Sequence, residues 1–339
     1  MIDPKFRMQN AKCKGQTTSS PNVFGHLHFD FCILHYATRM KCLSVLIAVA
    51  TLVLPVAAGA QSSPATPPQG AAAVTARTPL TRAATVLVPD SLNVFRRFTA
   101  DGPKTLAFYG EVLGLKTLQP IGQVYRFQVG TSEVKFSPAA RNRQIARGGM
   151  NAAAGMRLWT FRVADETALA ARFVQHGYAA PAFKMVGDIR TALVADPDGE
   201  LVQLVIAPAG SPELAKLDIG IAANDLEKSR AFYRNFIGLE ELAPVDDPLI
   251  GVRRYPFRHG TTTVNVWASG GGKPLNPSLA GIQYVVRDVD AVDVLAKQHA
   301  VPVETPLGET MPGLRTVWLY DPDQVTNYFA EIRSRQPSR

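Results

Sequence analysis

Phe108-Tyr109-Gly110-Glu111-Val112-Leu113-Gly114-Leu115 returns 124 residues later as Phe232-Tyr233-Arg234-Asn235-Phe236-Ile237-Gly238-Leu239. Landmarks on either side keep nearly the same spacing. Asp101 and Asp225 each stand seven residues before the Phe-Tyr pair. Arg190-Thr191, followed by Asp196-Pro197-Asp198, returns 125 residues on as Arg315-Thr316, followed by Asp321-Pro322-Asp323. Several landmarks at nearly one offset mark a duplicated structural unit. Two copies of one domain are expected, roughly 91–208 and 213–333.

Each copy divides again. Asp165 follows an apolar strand, Leu158 to Val163, and precedes the helical run Thr167 to Gln175; Asp288 does the same after Ile282 to Val286. Every half reads as a strand, a helix and several short strands. The helices begin after an Asp or Ser/Thr able to cap free N–H groups. They end near Gly114, Gly177 and Gly238, where a left-handed residue is cheap. Asp196-Pro197-Asp198-Gly199 is a tight-turn signal between two apolar strands.

Four such units in two pairs, with Phe-Tyr in the first helix and Asp-Pro-Asp-Gly before a last strand, resemble the vicinal oxygen chelate (VOC) superfamily. This is the glyoxalase, bleomycin-resistance and extradiol-dioxygenase group. The resemblance covers about 91–333 and implies an α+β fold of four βαβββ units, forming two tandem glyoxalase-like domains. It also implies curved sheets around cavities that commonly hold a divalent metal, which chelates vicinal oxygens of the substrate.

The family's ligands are His or Glu at four strand positions per domain. Mapped here, those positions are Val94, Lys135, Leu158 and Gln203, then Asp218, Asn265, Gly281 and Tyr328. None is His or Glu. A divalent metal remains possible through Asp218, Asn265 and Gln203, but the usual imidazole and carboxylate donors are missing. Alternation along the strands supports this register, because the neighbours of 158, 203, 218 and 281 are apolar. It is weaker at Tyr328, where Asn327 falls on the helix side and a shift would bring in Glu331. It is also weaker in the first strand, where Arg97 falls on the helix side. His176 and His299 read as helix-end residues, and His259 as part of a hairpin turn.

Two cavities are expected, one per domain. The first would present Arg96, Lys135, Thr160, Arg162 and Gln203. Its three cations would favour an anionic ligand, unless they pair with Glu133 or reach solvent. The second would present Asp218, Asn265, Trp267, Gln283 and Tyr328. There Trp267 and Tyr328 would stack on a planar ligand, unless Trp267 only fills the sheet. Asp218 and Tyr328 are candidate catalytic groups, as general base and acid.

The chain has 339 residues, 46% of them apolar, with 36 Lys+Arg against 28 Asp+Glu, three cysteines and six histidines. Cys13, Cys32 and Cys42 all precede residue 43. Lys41, the apolar run Leu43 to Val56 and Ala58-Gly59-Ala60 describe an export signal (40–60), with cleavage near Ala60 and a periplasmic or secreted product. Residues 1–39 read as a doubtful extension. If it is translated, the apolar run could stay as an uncleaved anchor. The Pro/Ala-rich stretch 61–90 reads as a tether. Without residues 1–60 the charge is +4, with 30 basic against 26 acidic residues, no cysteine and three histidines. That excludes disulfides and thiolate metal sites from the mature protein, and no basic stripe points to nucleic acid. The Arg-rich segment Arg141, Arg143, Arg147 reads as a solvated connector.

Two functional readings follow. One is a small-molecule binding protein without the usual metal centre. The other is an enzyme (lyase, isomerase or dioxygenase) with an atypical or absent metal site. The oligomeric state is open.

Overall fold

The computed structural model describes residues 80–98, 101–139, 149–150, 152–277 and 279–333. The extension, the export signal, most of the 61–90 stretch and Arg141, Arg143 and Arg147 lie outside the described residues.

Four βαβββ modules follow one another. Module 1 is β1 (Leu87–Phe98), α1 (Gly102–Ala107, running on as a π-helical turn Phe108–Val112), β2 (Lys116–Ile121), β3 (Val124–Val129) and β4 (Ser132–Pro138). Module 2 is β5 (Gly155–Val163), α2 (Glu166–Gln175), β6 (Lys184–Val186), β7 (Ile189–Ala195) and β8 (Leu201–Ile206). Module 3 is β9 (Leu217–Ala223), α3 (Leu226–Ala231, then a π-helical turn Phe232–Ile237), β10 (Glu240–Glu241), β11 (Val245–Asp247), β12 (Val252–His259) and β13 (Thr262–Ala268). Module 4 is β14 (Ala280–Val286), α4 (Val289–Gln298), β15 (Val303–Met311), β16 (Leu314–Tyr320) and β17 (Thr326–Ile332).

The repeated aspartates set the helix starts. Asp101, Asp165, Asp225 and Asp288 each accept a hydrogen bond from the backbone N–H three residues on, satisfying a donor that the helix cannot. Gly114, Gly177 and Gly238 take positive φ at the helix ends as expected; in module 4 the corresponding residue is Ala300, at φ 51°.

The sheets do not follow the sequence domains. One is β15-β16-β17-β14-β1-β4-β3-β2, built from modules 1 and 4. The other is β10-β12-β13-β9-β5-β8-β7-β6, built from modules 2 and 3, with β11 on β12. The seams are antiparallel pairs of first strands, β1 with β14 and β5 with β9. Modules 2 and 3 are joined by a ten-residue link containing the 3-10 turn Pro212–Ala215, which lets β9 lie against β5. That pairing leaves β1 and β14 to find each other.

One continuous core joins the back faces of both sheets: Val94, Ile282 and Phe329 belong to it from the first, Trp159, Ile219 and Val264 from the second. The two front faces therefore lie on opposite sides of this core. Burial of this kind contributes roughly 25 cal/mol per Å² of apolar surface removed from water.

Two expectations about the first strand change. The tether ends before residue 90, because Ala83–Val86 forms a 3-10 turn and β1 opens at Leu87. Ala83 and Leu87 are buried in the core, so this segment is held by apolar contacts. The register of β1 is also one residue off the expected one. Val94 is buried in the core, and Asn93 takes the front-face place opposite Gln283. The equivalent pair in the other sheet is Asp218 opposite Thr160. Asp218 stands seven residues before its capping Asp225, whereas Asn93 stands eight before Asp101. This extra residue shifts every side chain of β1 to the other face and takes Arg97 off the helix side.

Candidate functional site

The second sheet supplies a cavity of about 560 Å³. Its floor is a row of neighbouring front-face residues: Gln203 on β8, Thr160 and Arg162 on β5, Asp218 on β9 and Asn265 on β13. Walls come from the β6–β7 hairpin (Val186 to Ile189), the segment after β8 (Ala207, Pro208) and the β11 region (Val245 to Pro248).

The floor is tied by specific bonds. Arg162 donates to Asp218 Oδ2 at 2.7 Å and to the Lys216 carbonyl at 3.5 Å. Gln203 Oε1 accepts from Thr160 at 3.0 Å and from Arg254 at 3.0 Å, while Gln203 Nε2 donates to Thr191 at 3.2 Å. Arg254, on β12, also pairs with Asp247 of β11, so it connects the covering hairpin to the floor. Burial lowers the Arg254 pKa, against the opposing pull of Asp247 and Asp218.

Trp267 is on the same face but does not open onto the cavity. It packs with Leu158 and Ala222, with Ile250 and Val252 against them. Gly220 makes this possible, since a Cβ there would stand 2.6 Å from the indole ring. Trp267 thus fills the part of the front face where Leu158 stands, and the polar half stays open.

This redistributes the expected sites. The first cavity was to combine Arg96, Lys135, Thr160, Arg162 and Gln203; these divide among three places, because the sheets pair modules 2 with 3 and 1 with 4. Arg96 lies in the core, 1% exposed, 3.3 Å from Asp196 and 4.2 Å from the centre of the Trp159 ring. It faces no cavity, a consequence of the one-residue shift of β1. Lys135 belongs to the first sheet, where it donates to Gln283 and lies 3.3 Å from Glu133. Burial lowers its pKa and Glu133 raises it back in part. Thr160, Arg162 and Gln203 are in the cavity of the second sheet, together with Asp218 and Asn265.

Nor is the cavity cationic. Asp188, Glu213, Asp218, Asp246 and Asp247 line it against Arg162 and Arg254, and each arginine is paired with an aspartate. The pairing of Asp218 with Tyr328 as base and acid is also overturned, because they sit on the front faces of different sheets with the core between. Tyr328 instead packs on Trp318, ring centres 4.8 Å apart, and burial pushes its hydroxyl up to about 12. Its register is as expected: Asn327 is buried and accepts from Tyr284 at 3.1 Å, and Glu331 accepts from the Val289 N–H at the start of α4. His176 and His299 end α2 and α4 as expected, and His259 closes β12.

A divalent metal does not suit either set of family positions. In the second sheet Asp218 already carries a guanidinium, Gln203 Oε1 accepts two hydrogen bonds, and Leu158 has no donor atom. In the first sheet the equivalent residues are Asn93, Lys135, Gly281 and Tyr328, with an ammonium among them. Among the described residues one acidic group has metal-like spacing, Asp288, Asp290 and Glu331. It lies at the start of α4 and is taken up by Ala291, Val289, Arg315 and Arg333.

Arg254 and Asp247 are not among the residues singled out from the sequence. The signal was there: Asp246-Asp247 and Arg253-Arg254 flank a turn through Gly251, the spacing of a cross-strand charge ladder.

Fold and motifs place the chain in a family. The model of the Glyoxalase/Bleomycin resistance protein/Dioxygenase superfamily matches residues 91–204 and 217–329, and the chain belongs to that superfamily. Glyoxalase I from Zea mays shares 20% identity with a TM-score of 0.54, over 70% of this chain and 91% of that one. A putative dioxygenase from Bacillus subtilis subsp. subtilis str. 168 shares 14% with a TM-score of 0.50, over 73% and 86%. At these identities the likeness is one of fold. No curated protein matches the sequence.

Proposed function

We propose that the protein binds a small molecule on the front face of the second sheet, without a resident metal ion. The observation that carries this reading is the Arg162–Asp218 pair at 2.7 Å. Asp218 is the one carboxylate in the family's set of ligand positions, and a guanidinium already neutralises it. A divalent ion brought there would meet an uncompensated repulsion from Arg162. The guanidinium has five N–H donors, more than Asp218 and Lys216 accept, so it can also hold a ligand oxygen.

Native mass spectrometry of the protein purified from its own host tests this. The expected result is a small-molecule adduct that survives EDTA and is lost in Arg162→Ala. Turnover of vicinal-oxygen substrates that requires added metal and is abolished by Asp218→Asn would overturn it in favour of an enzyme. Export is part of the proposal, supported by the signal-like segment 40–60. A mature N-terminus at Gln61 is the expected result of N-terminal sequencing. Among the described residues no helix is long and apolar enough to cross a membrane.

A further inference from the structure

Asn265 is the floor residue left without a partner among the described residues. It is 6% exposed and lines the cavity, yet its carboxamide makes no hydrogen bond or ion pair with any described residue. Its neighbours differ: Gln203 is bonded at both ends of its amide, and Asp218 and Arg254 are paired. Its amide atoms are not sealed from solvent, so water in the cavity can satisfy them and a ligand amide can take that water's place. Here the open side of the group is the cavity.

We propose that the cavity takes a neutral or cationic heterocycle with a cyclic amide edge (C=O beside N–H, as in a lactam, imide or pyrimidinone) and that Asn265 reads that edge. The proposal rests on the small-molecule reading above and narrows its ligand class. A carboxamide presents an acceptor, Oδ1, next to a donor, Nδ2, so a cis-amide meets it with two parallel hydrogen bonds. The vicinal oxygens of an α-keto acid such as pyruvate offer acceptors only and leave Oδ1 unpartnered, and a catechol presents two hydroxyls rather than a fixed acceptor–donor edge. The five carboxylates around the cavity, against two paired guanidiniums, disfavour an anion. The rim adds an apolar contact surface: Ile189 and Val245 line the cavity and stand 53% and 55% exposed. They suit an apolar substituent on the ring, and the volume accommodates one.

The test is an NMR titration of the whole protein in EDTA with uracil and 2-pyrrolidone, against catechol and pyruvate. Uracil and 2-pyrrolidone are expected to bind. Asn265→Ala and Asn265→Asp should weaken them about tenfold or more, the loss of one or two hydrogen bonds. Because Asn265 has no partner to lose among the described residues, Asn265→Ala should unfold at the parent's temperature, which separates loss of binding from loss of fold. Binding of the cyclic amides unchanged by either substitution would overturn the proposal. Binding of catechol or pyruvate but not of the amides would overturn it while leaving the small-molecule reading intact. An absence of binding by all four probes would overturn it too, and the host-purified adduct then decides the broader reading separately.

Discussion

Tyr233 donates its hydroxyl hydrogen bond to Asp321 Oδ2 at 2.8 Å, and Tyr109 makes the same bond to Asp196 at the same distance. The two motifs that repeat most clearly in the sequence are thus the two ends of one buried contact. In each copy the other carboxylate oxygen accepts two turn N–H groups, from Asp198 and Glu200 or from Asp323 and Val325. The Phe-Tyr helix and the Asp-Pro-Asp turn lock together, which is why both persist across the repeat.

The copies differ in charge around this contact. Burial and the neighbouring Asp323 push Asp321 up to about 7, and among the described residues no arginine faces it as Arg96 faces Asp196. A carboxylate whose pKa is higher folded than unfolded contributes stability below its unfolded value. That contribution is lost as pH rises through the folded value. The stability difference between the parent and Asp321→Asn should therefore shift in favour of the variant between pH 4 and pH 7. The full shift is about 4 kcal/mol or less. Urea unfolding of both proteins across that range measures it, and parallel pH curves would contradict it.

In the first copy the charges come as a set. Arg96 pairs with Asp196, and Arg157 lies 3.6 Å from Glu200, all four nearly inaccessible. The corresponding residues of the second copy are Ile221, Ala280 and Val325, for Arg96, Arg157 and Glu200, and all are apolar. Removing one member strands the others. Glu200→Val should cost about 3–5 kcal/mol, whereas the triple change Arg96→Ile, Arg157→Ala, Glu200→Val should cost less than that single one. Chemical denaturation of the four proteins (parent, single, the arginine pair, triple) reads this directly; additive losses would contradict it.

Ala300 takes φ 51° where module 2 has Gly177 at φ 80°. An L side chain in the left-handed region costs roughly 1–2 kcal/mol, part of which glycine gives back as unfolded-chain entropy. Ala300→Gly should raise stability by about 0.5–1 kcal/mol, seen as a higher melting temperature. An unchanged or lower one would show that Ala300 is not strained.

The modules were legible in the sequence because their signals are local: a capping aspartate, a glycine past the helix, a turn between apolar strands. Sheet partnership was not legible, because it depends on which first-strand edges meet, and edges carry no periodicity. That one step moved Lys135 away from Arg162, and Tyr328 away from Asp218. Arg96 was misplaced for a different reason. A seven-residue spacing from Asp101 presupposes an uninterrupted strand, and one extra residue inverts its faces. The alternation along its strand puts Asn265 on the front face beside Asp218, but its lack of a partner among the described residues is visible only once Gln203, Arg162 and Asp218 are seen to be engaged.

The proposed binding role rests on Arg162, rather than a metal ion, neutralising Asp218. Metal content of the purified protein after incubation with Mn, Fe, Co, Ni and Zn, followed by desalting, tests it most directly. Substoichiometric metal, unchanged in Asp218→Ala, is the expected result. One tightly held equivalent, lost in Asp218→Ala, would contradict it.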